Sequence, residues 1–168
     1  RPAGIGDFPV STTVLDAGAL EAAGLQHLQD VLGLVPNLNW SGGTSRPRYF
    51  QLRGVGELEQ YQGAPNPSVG FLIDDIDFSG VGMPATSFDV EQVEVLRGPQ
   101  GTRYGANALA GLINVRTRDA RPEHELHAEL TAGEDGMLSA GIVAGGALGA
   151  AGPRQGAWRV AIQQAESD

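Results

Sequence analysis

Glycine and proline are unusually frequent in this chain, which predicts many turns. Twenty-five of the 168 residues are Gly and ten are Pro, about a fifth of the chain, whereas the two together make up about 12% of an average protein. No stretch approaches the roughly 18 consecutive apolar residues that a membrane-spanning helix needs. The sequence therefore predicts short strands, short helices and many turns, and any membrane role has to use strands.

Composition and charge exclude several classes of function. Hydrophobic residues make up 41% of the chain and charged residues 18%, which is too apolar and too weakly charged for a disordered tail. There is no Cys, so disulfides, thiolate zinc sites, iron-sulfur clusters and a Cys nucleophile are excluded. All 11 basic residues are Arg, so neither a Schiff-base lysine nor a phosphate-loop lysine is available. The net charge of -9 argues against nucleic-acid binding.

The first third of the chain predicts a strand followed by two helices. Val10 to Leu15 is β-branched and leads to Asp16, a good N-cap for a helix over Ala17 to Ala23. A second helix of about ten residues is predicted before Pro36, which bars its continuation. Its apolar residues recur at helical spacing: Leu25, Leu28, Val31, Leu32 and Val35.

The next part of the chain predicts strands joined by loops. Tyr49 to Arg53 alternates like a strand, and Val69 to Phe78 predicts two short strands around a turn at Asp74-Asp75. Two more strands are predicted at Val93 to Leu96 and at Leu112 to Thr117. Four glycines are predicted to permit tight turns and close backbone packing: Gly54, Gly98, Gly105 and Gly111.

Three alternating segments follow Glu123. Leu126, Ala128, Leu130 and Ala132 share one strand face, and the same alternation recurs from Leu138 to Leu148 and from Trp158 to Gln163. Segments of about ten residues with this pattern are typical of outer-membrane barrel strands. Half-buried sheets of soluble proteins alternate in the same way, so the pattern alone leaves both possibilities open.

The sequence predicts no catalytic residue, metal or cofactor. The carboxylates Asp74, Asp75 and Asp77 lack the helices and the bidentate Glu of a calcium loop, so they are interpreted as hairpin carboxylates. The glycines from Gly98 to Gly111 lack the following Lys-Ser or Lys-Thr of a nucleotide site. No Gly-x-Ser-x-Gly elbow is present.

One segment is specific to a family. VEVLRGPQGTRYGANALAGLINVRT, Val93 to Thr117, closely resembles the signature of the plug domain of TonB-dependent outer-membrane receptors. Further landmarks fall in the family's order over roughly Val10 to Thr117: LGLVPNL at Leu32 to Leu38, FQLRG at Phe50 to Gly54 and VGFLIDDID at Val69 to Asp77. The hairpin departs from the family's usual Asp-Gly by having Asp74-Asp75, which leaves its turn type open.

The resemblance implies an α+β fold and two parts of the chain. Residues 1–122 would form the plug, a small mixed sheet with short helices, and residues 123–168 the first antiparallel strands of a transmembrane barrel of about 22 strands. Leu126, Leu130, Ile142 and Ile162 would then face lipid, with Trp158 in an interfacial girdle. The 46 residues after residue 122 suffice for about three strands. The chain starts at Arg1 without a leader, so we expect a piece of a longer receptor, with the short segment that TonB binds lying upstream.

The resemblance also implies site residues. Arg53 and Arg97 match the two plug arginines that pair with barrel carboxylates as a charge lock, and Glu94 is a candidate local partner. Arg suits this task because its planar fork pairs bidentately with carboxylates and stays charged. Residues on the apical loops would face the substrate: Trp40, Arg46, Arg48, Tyr49 and Tyr61.

The implied function is the gate of an outer-membrane active transporter that imports a scarce nutrient. The expected cargo is a ferric siderophore, although cobalamin, haem or an oligosaccharide would use the same plug. The expected partners are periplasmic TonB, which supplies energy, and the remainder of the barrel in the bacterial outer membrane. The alternative from another class is a soluble plug-like binding module without a barrel; a nucleotide-dependent enzyme is disfavoured by the absence of Lys.

Overall fold

The computed structural model describes residues 11–23, 28–42, 47–58, 67–81, 86–100, 108–133, 137–149 and 155–166. The chain divides into two compact units, Arg1–Thr117 and Arg118–Asp168. The domain boundary expected from the sequence, between residues 122 and 123, lies slightly further along the chain and stays a prediction.

The first unit is built on a mixed sheet. Its strand order is β1-β6-β7-β4-β5, and of its four strand pairs only β4 with β7 is parallel. A separate two-stranded hairpin joins β2 to β3. The elements are β1 Ser11–Asp16, α1 Ala17–Ala23, α2 Leu28–Gly33, β2 Leu38–Ser41, β3 Tyr49–Leu52, β4 Val69–Ile73, β5 Ile76–Asp77, β6 Val90–Arg97 and β7 Gly111–Thr117.

The two helices are short for identifiable reasons. The Asp16 Oδ1 accepts the Ala19 backbone N–H at 2.8 Å, which confirms Asp16 as the N-cap of α1. The α2 helix ends at Gly33, earlier than predicted, because the backbone N–H groups of Leu34 and Val35 bond three residues back in a tighter turn. Leu25, the first residue of the predicted second helix, lies outside the described residues. Neither helix in the described chain is long enough to cross a membrane.

The β2 strand was not predicted from the sequence. Leu38–Ser41 has only four residues, and two of them, Asn39 and Ser41, are typical of loops. Pairing with β3 creates the strand, with Leu38 opposite Leu52 and Ser41 opposite Tyr49. The N–H of Arg48 donates to the Ser41 carbonyl at 3.0 Å and extends the hairpin by one bond.

The larger hydrophobic cluster of the core lies on one face of the sheet. Because side chains alternate across a strand, Val93 and Val95 of β6 share a face with Ile113 and Val115 of β7, and all four are at most 2% exposed. Leu28, Val31 and Leu32 of α2 pack into the same cluster. The rings of Phe50 in β3 and Phe71 in β4 stack with centroids 5.4 Å apart, which joins the hairpin to the sheet.

The backbone of the β4–β5 hairpin shows its turn type, which the sequence left open. Asp74 and Asp75 have φ values of 49° and 65°, so both central residues are left-handed, as a type I′ turn requires. The backbone strain at Asp74 is offset by two hydrogen bonds: its carboxylate accepts the N–H of Thr117 at 2.9 Å and the hydroxyl of Thr117 at 2.7 Å. Asp77 accepts the N–H of Ser79 at 2.8 Å. These carboxylates therefore organise the turn and the end of β7.

The second unit is a three-stranded antiparallel sheet of order β10-β9-β8. Its strands are β8 Glu125–Ala132, β9 Leu138–Leu148 and β10 Gly156–Glu166, which confirms the three alternating segments. The register places Leu126 opposite Ala144 and Ala144 opposite Val160. The apolar side chains of the three strands therefore form one continuous face.

The hairpin turn predicts opposite effects of two glycine substitutions. Asp75→Gly removes the left-handed strain of an uncompensated residue and should stabilise the chain by about 0.5 kcal/mol. Asp74→Gly relieves the same strain but deletes two hydrogen bonds to Thr117, and should destabilise the chain by about 1 kcal/mol. Equilibrium urea unfolding measures both, and equal effects of the two substitutions would contradict the role given to Asp74.

Candidate functional site

Arg97 ends β6 on the core face of the sheet and is held by neutral acceptors. Its Nη1 donates to the Thr13 hydroxyl at 2.7 Å and its Nη2 donates to the Pro36 carbonyl at 3.3 Å. The side chain thus joins the edge strand β1 to the turn that follows α2. Both acceptors are uncharged, so these contacts position the guanidinium without neutralising its charge.

Arg53 occupies a strained turn at the end of β3. Arg53 and Gly54 have φ values of 55° and 80°, and Leu52 and Val55 exchange backbone hydrogen bonds at 2.9 and 3.0 Å. This is the geometry of a type I′ turn, which favours Asn and Gly at its centre rather than Arg. A strained backbone at a long charged residue points to a role for its side chain.

The structure brings the two arginines to the same turn. The N–H of Arg53 donates to the Asn37 carbonyl at 2.9 Å, and the side chain of Arg97 binds the adjacent Pro36 carbonyl. The carbonyls of two consecutive residues, Pro36 and Asn37, therefore accept hydrogen bonds from Arg97 and Arg53. Within the described ranges neither guanidinium contacts a carboxylate, so the turn presents two positive charges that this part of the chain does not pair.

Glu94 does not join this pair. It lies three residues before Arg97 on β6, and an odd spacing along a strand puts two side chains on opposite faces. Its carboxylate accepts the amide of Gln92 at 2.5 Å and the amide of Asn114 at 3.4 Å. The carboxylate predicted as a local partner of the arginines thus lies on the other side of the sheet.

The candidate substrate-facing residues lie at the β2–β3 hairpin. Trp40 is 41% exposed, Arg48 is exposed and Tyr49 is half-buried. Trp40 pairs with Phe50 and Tyr49 pairs with Ser41, so the two aromatic rings project to opposite faces of the hairpin. Arg46 and Tyr61, the other two candidates, lie outside the described residues.

A polar network that the sequence did not reveal stabilises this hairpin. Gln51 is 8% exposed although it lies opposite the core face of β3, and its amide donates to the Glu57 carbonyl at 2.6 Å. The Glu57 carboxylate accepts the N–H of Ser68 at 2.8 Å and the hydroxyl of Ser68 at 2.6 Å. These bonds connect Gln51 of β3 to Glu57, and Glu57 to Ser68 immediately before β4. The alternating pattern of β3 predicts that a polar residue between two core residues is exposed, so the burial of Gln51 could not be predicted from the sequence.

Three of the four candidate glycines lie in the described part of the chain, and they require glycine for different reasons. Gly54 and Gly98 have φ values of 80° and 102°, where an L side chain is strained. Gly111 is the first residue of β7, and a Cβ there would clash with the Leu52 side chain and the Leu96 carbonyl. Position 111 therefore requires glycine because of close packing and not because of a turn conformation. Gly105 lies outside the described residues.

The comparisons with known proteins agree with this geometry. Residues 5–112 match the TonB-dependent receptor plug domain. The chain is 34% identical over 110 residues to the pesticin receptor of Yersinia pestis, covering 65% of this chain and 16% of that receptor. The chain therefore spans about a sixth of the length of that relative.

Solved receptor structures match beyond the first unit. The ferric yersiniabactin uptake receptor FyuA of Yersinia pestis is similar with a TM-score of 0.69 and 29% identity, over 82% of this chain and 21% of that one. The siderophore receptor PiuA of Acinetobacter baumannii shares the fold over 99% of this chain and 22% of its own, with a TM-score of 0.76 and 24% identity. These relatives are transport receptors of the outer membrane. The chain belongs to the TonB-dependent receptor family and contains its plug domain.

Proposed function

We propose that this chain is the gate of an outer-membrane active transporter, with the first unit as the plug and residues 123–168 as the opening strands of its barrel. The observation that carries the proposal is the pair of unneutralised arginines on one turn of a plug-family sheet. Cargo binds near the β2–β3 hairpin, force from periplasmic TonB strains the plug, and the plug rearranges to open a path. The chain contributes binding and gating rather than a catalysed reaction.

The two arginines act as a charge lock in this proposal. Both are held through the Pro36–Asn37 turn, and both lack a carboxylate partner within the described residues. Arg97 is half-buried and Arg53 is exposed. A partly buried guanidinium such as that of Arg97 is stable only when it is paired or solvated, and the fork of either arginine matches a carboxylate. In this proposal, carboxylates on the barrel wall form an ion pair with each arginine. Force on the Pro36–Asn37 turn therefore acts on both ion pairs together.

The exposed apolar face of the second unit supports a lipid environment. Leu126 is 78%, Leu130 is 74% and Ile162 is 62% exposed, and they lie on the continuous face described above. Soluble proteins rarely expose an apolar patch of this extent. The opposite face carries an Arg159–Glu125 ion pair and a Gln163–Ser139 hydrogen bond of 3.0 Å, as expected for strands with one face in lipid and the other in a polar interior.

The proposed cargo is a ferric siderophore. A solved relative with 29% identity is a ferric yersiniabactin uptake receptor. Trp40 and Arg48 on the hairpin supply an aromatic surface and a positive charge, and side chains of these types dominate binding hot spots. The iron arrives already chelated, so the plug need supply no metal ligands of its own.

The lock predicts that Arg97 controls how firmly the plug is held. In the full-length receptor, Arg97→Ala should increase the rate at which protease cleaves the plug about tenfold, because it removes charge-assisted hydrogen bonds. It should also lower cargo uptake. Arg97→Lys should be intermediate, because Lys lacks the planar fork. The matched control is Arg116→Ala, an exposed arginine on β7; wild-type uptake and protease protection in Arg97→Ala would refute the lock.

The strain at Arg53 predicts that stability and function respond in opposite directions. Arg53→Asn suits the type I′ turn and should raise the free energy of unfolding of the chain by about 0.5 to 1 kcal/mol. The same substitution removes the guanidinium and should reduce uptake in the full-length receptor. Urea unfolding and transport of labelled cargo measure the two effects. Unchanged uptake would remove Arg53 from the lock.

The lipid-facing assignment predicts an asymmetry between neighbouring strand positions. Leu130→Arg places a charge on the exposed apolar face, where it costs about 2 to 4 kcal/mol at mid-bilayer depth, so the receptor should fail to assemble in the outer membrane. His127→Arg, on the opposite face of the same strand, is the control and should assemble. Heat-modifiable mobility of membrane extracts reports assembly, and equal assembly of the two variants would contradict the assignment.

A further inference from the structure

Two ring nitrogens converge on Gly146 at one end of the three-stranded sheet. A Cβ at Gly146 would lie 3.1 Å from the Nδ1 of His124 and 3.7 Å from the Nε1 of Trp158. Trp158 lies directly opposite Gly146 on β10, and His124 immediately precedes β8. Both nitrogens are therefore near the same point, over a backbone that carries no side chain. These three residues form the His–Trp notch.

The His–Trp notch lies on the apolar face of the sheet, near its end. Because residues two apart on a strand share a face, Gly146 is on the same face as Ala144, which lies opposite Leu126 on one side and Val160 on the other. At about 3.4 Å per residue, the notch is about 7 Å beyond this apolar row. Leu148 lies one row further, at the end of β9. The end of a lipid-facing strand is where the hydrocarbon of a bilayer gives way to headgroups.

The two ring nitrogens of the notch are donors in need of an acceptor. Among the residues that the structure describes, neither ring has a hydrogen-bond partner. The Nε1 of Trp158 can only donate, and the Nδ1 of His124 donates in one neutral tautomer and in the protonated ring. Both rings are exposed, so a molecule outside the sheet can reach them.

The surroundings of the notch favour an anion with one charge. Glu125, the nearest carboxylate of β8, lies on the opposite face of the sheet, in an ion pair with Arg159. Two converging donors match the two non-bridging oxygens of a phosphodiester, which carries a single negative charge. A phosphate monoester carries up to two charges at neutral pH and is matched by clusters of Arg or Lys. Of the two kinds of lipid phosphate, the notch therefore fits the phosphodiester.

We propose that the His–Trp notch binds the phosphodiester of a glycerophospholipid headgroup, whose acyl chains lie along the apolar face. One non-bridging oxygen accepts the Nδ1–H of His124, and the other accepts the Nε1–H of Trp158. Gly146 leaves free the space that a side chain would occupy. The inference rests on the proposed function, which places these strands in a membrane. It differs from a general interfacial role of Trp158, for which the aromatic ring is sufficient.

Arginines close to the notch in sequence are the rival phosphate ligands. Arg118 and Arg121 precede β8 and are exposed. Arg154 falls between β9 and β10 in the sequence and lies outside the described residues. The experiment therefore includes a variant of each of these three arginines.

Lipid binding to the detergent-solubilised full-length receptor tests the notch. Native mass spectrometry would measure the dissociation constant of the first bound dioleoylphosphatidylglycerol, and of dioleoylglycerol, which has the same acyl chains and no phosphate. The wild type should bind the phospholipid about tenfold or more tightly than dioleoylglycerol. Trp158→Phe and His124→Phe each keep an aromatic ring and delete one donor to the phosphate. Each should weaken phospholipid binding about tenfold and leave dioleoylglycerol binding unchanged.

His127→Phe, on the opposite face of β8, is the matched control and should bind the phospholipid as the wild type does. Wild-type affinity in Trp158→Phe would show that its ring is only an interfacial anchor and would overturn the proposal. Equal affinity for the two lipids would overturn it too, as would tighter binding of lipopolysaccharide, whose phosphates are monoesters, at the same two rings. A tenfold loss in Arg118→Gln, Arg121→Gln or Arg154→Gln, with no loss in the ring variants, would assign the phosphate to an arginine and refute the notch.

Failure of the lipid site and failure of the proposed function give different results. If the wild-type receptor does not give a heat-modifiable outer-membrane band, the proposed function itself is wrong. If that band is present in the wild type and in both ring variants, and the ring variants bind the phospholipid as tightly as the wild type, the function stands and the phosphodiester site is refuted.

Discussion

The antiparallel pairing of β6 with β7 is the constraint on which the rest of the first unit depends. Three core residues of the pair, Val93, Val95 and Ile113, have no exposed surface. Its pleat fixes which side chains reach each face. Val93, Val95 and Arg97 share the core face, whereas Gln92 and Glu94 share the opposite one. The opposite placement of Arg97 and Glu94 is therefore a consequence of one register, and a slip of one residue would exchange their faces.

The residues with positive φ differ in whether side-chain hydrogen bonds offset their backbone strain. Asp74 is held by two hydrogen bonds to Thr117, so its positive φ is part of a stabilising turn. Arg53 has a similar φ, yet its backbone bonds would be made equally well by Asn. The chain thus retains a less stable residue at a position where its side chain has a proposed use.

The sequence predicted the elements that carry a strong local signal. Asp16 capped α1 as expected, and the Val69 to Phe78 run formed the predicted hairpin, because capping and turn chemistry act over a few residues. The β2 strand escaped prediction because Leu38–Ser41 is a strand only through its pairing with β3. The end of α2 was misplaced because Val35 is buried at helical spacing although its backbone is a tight turn. The resemblance predicted Arg53, Arg97 and Glu94 as site residues, but only the register of β6 shows that Glu94 lies on the opposite face from Arg97.

The size and location of the native parent protein test the proposed transporter function directly. Cells of the source organism would be fractionated and probed with an antibody raised against residues 1–168. If the chain is the plug of a barrel receptor, we expect a heat-modifiable band in the outer-membrane fraction that is several times larger than the 17.5 kDa of this chain. A soluble band near 17.5 kDa would mean that the plug sheet works without a barrel, and would contradict both the charge lock and the transport mechanism.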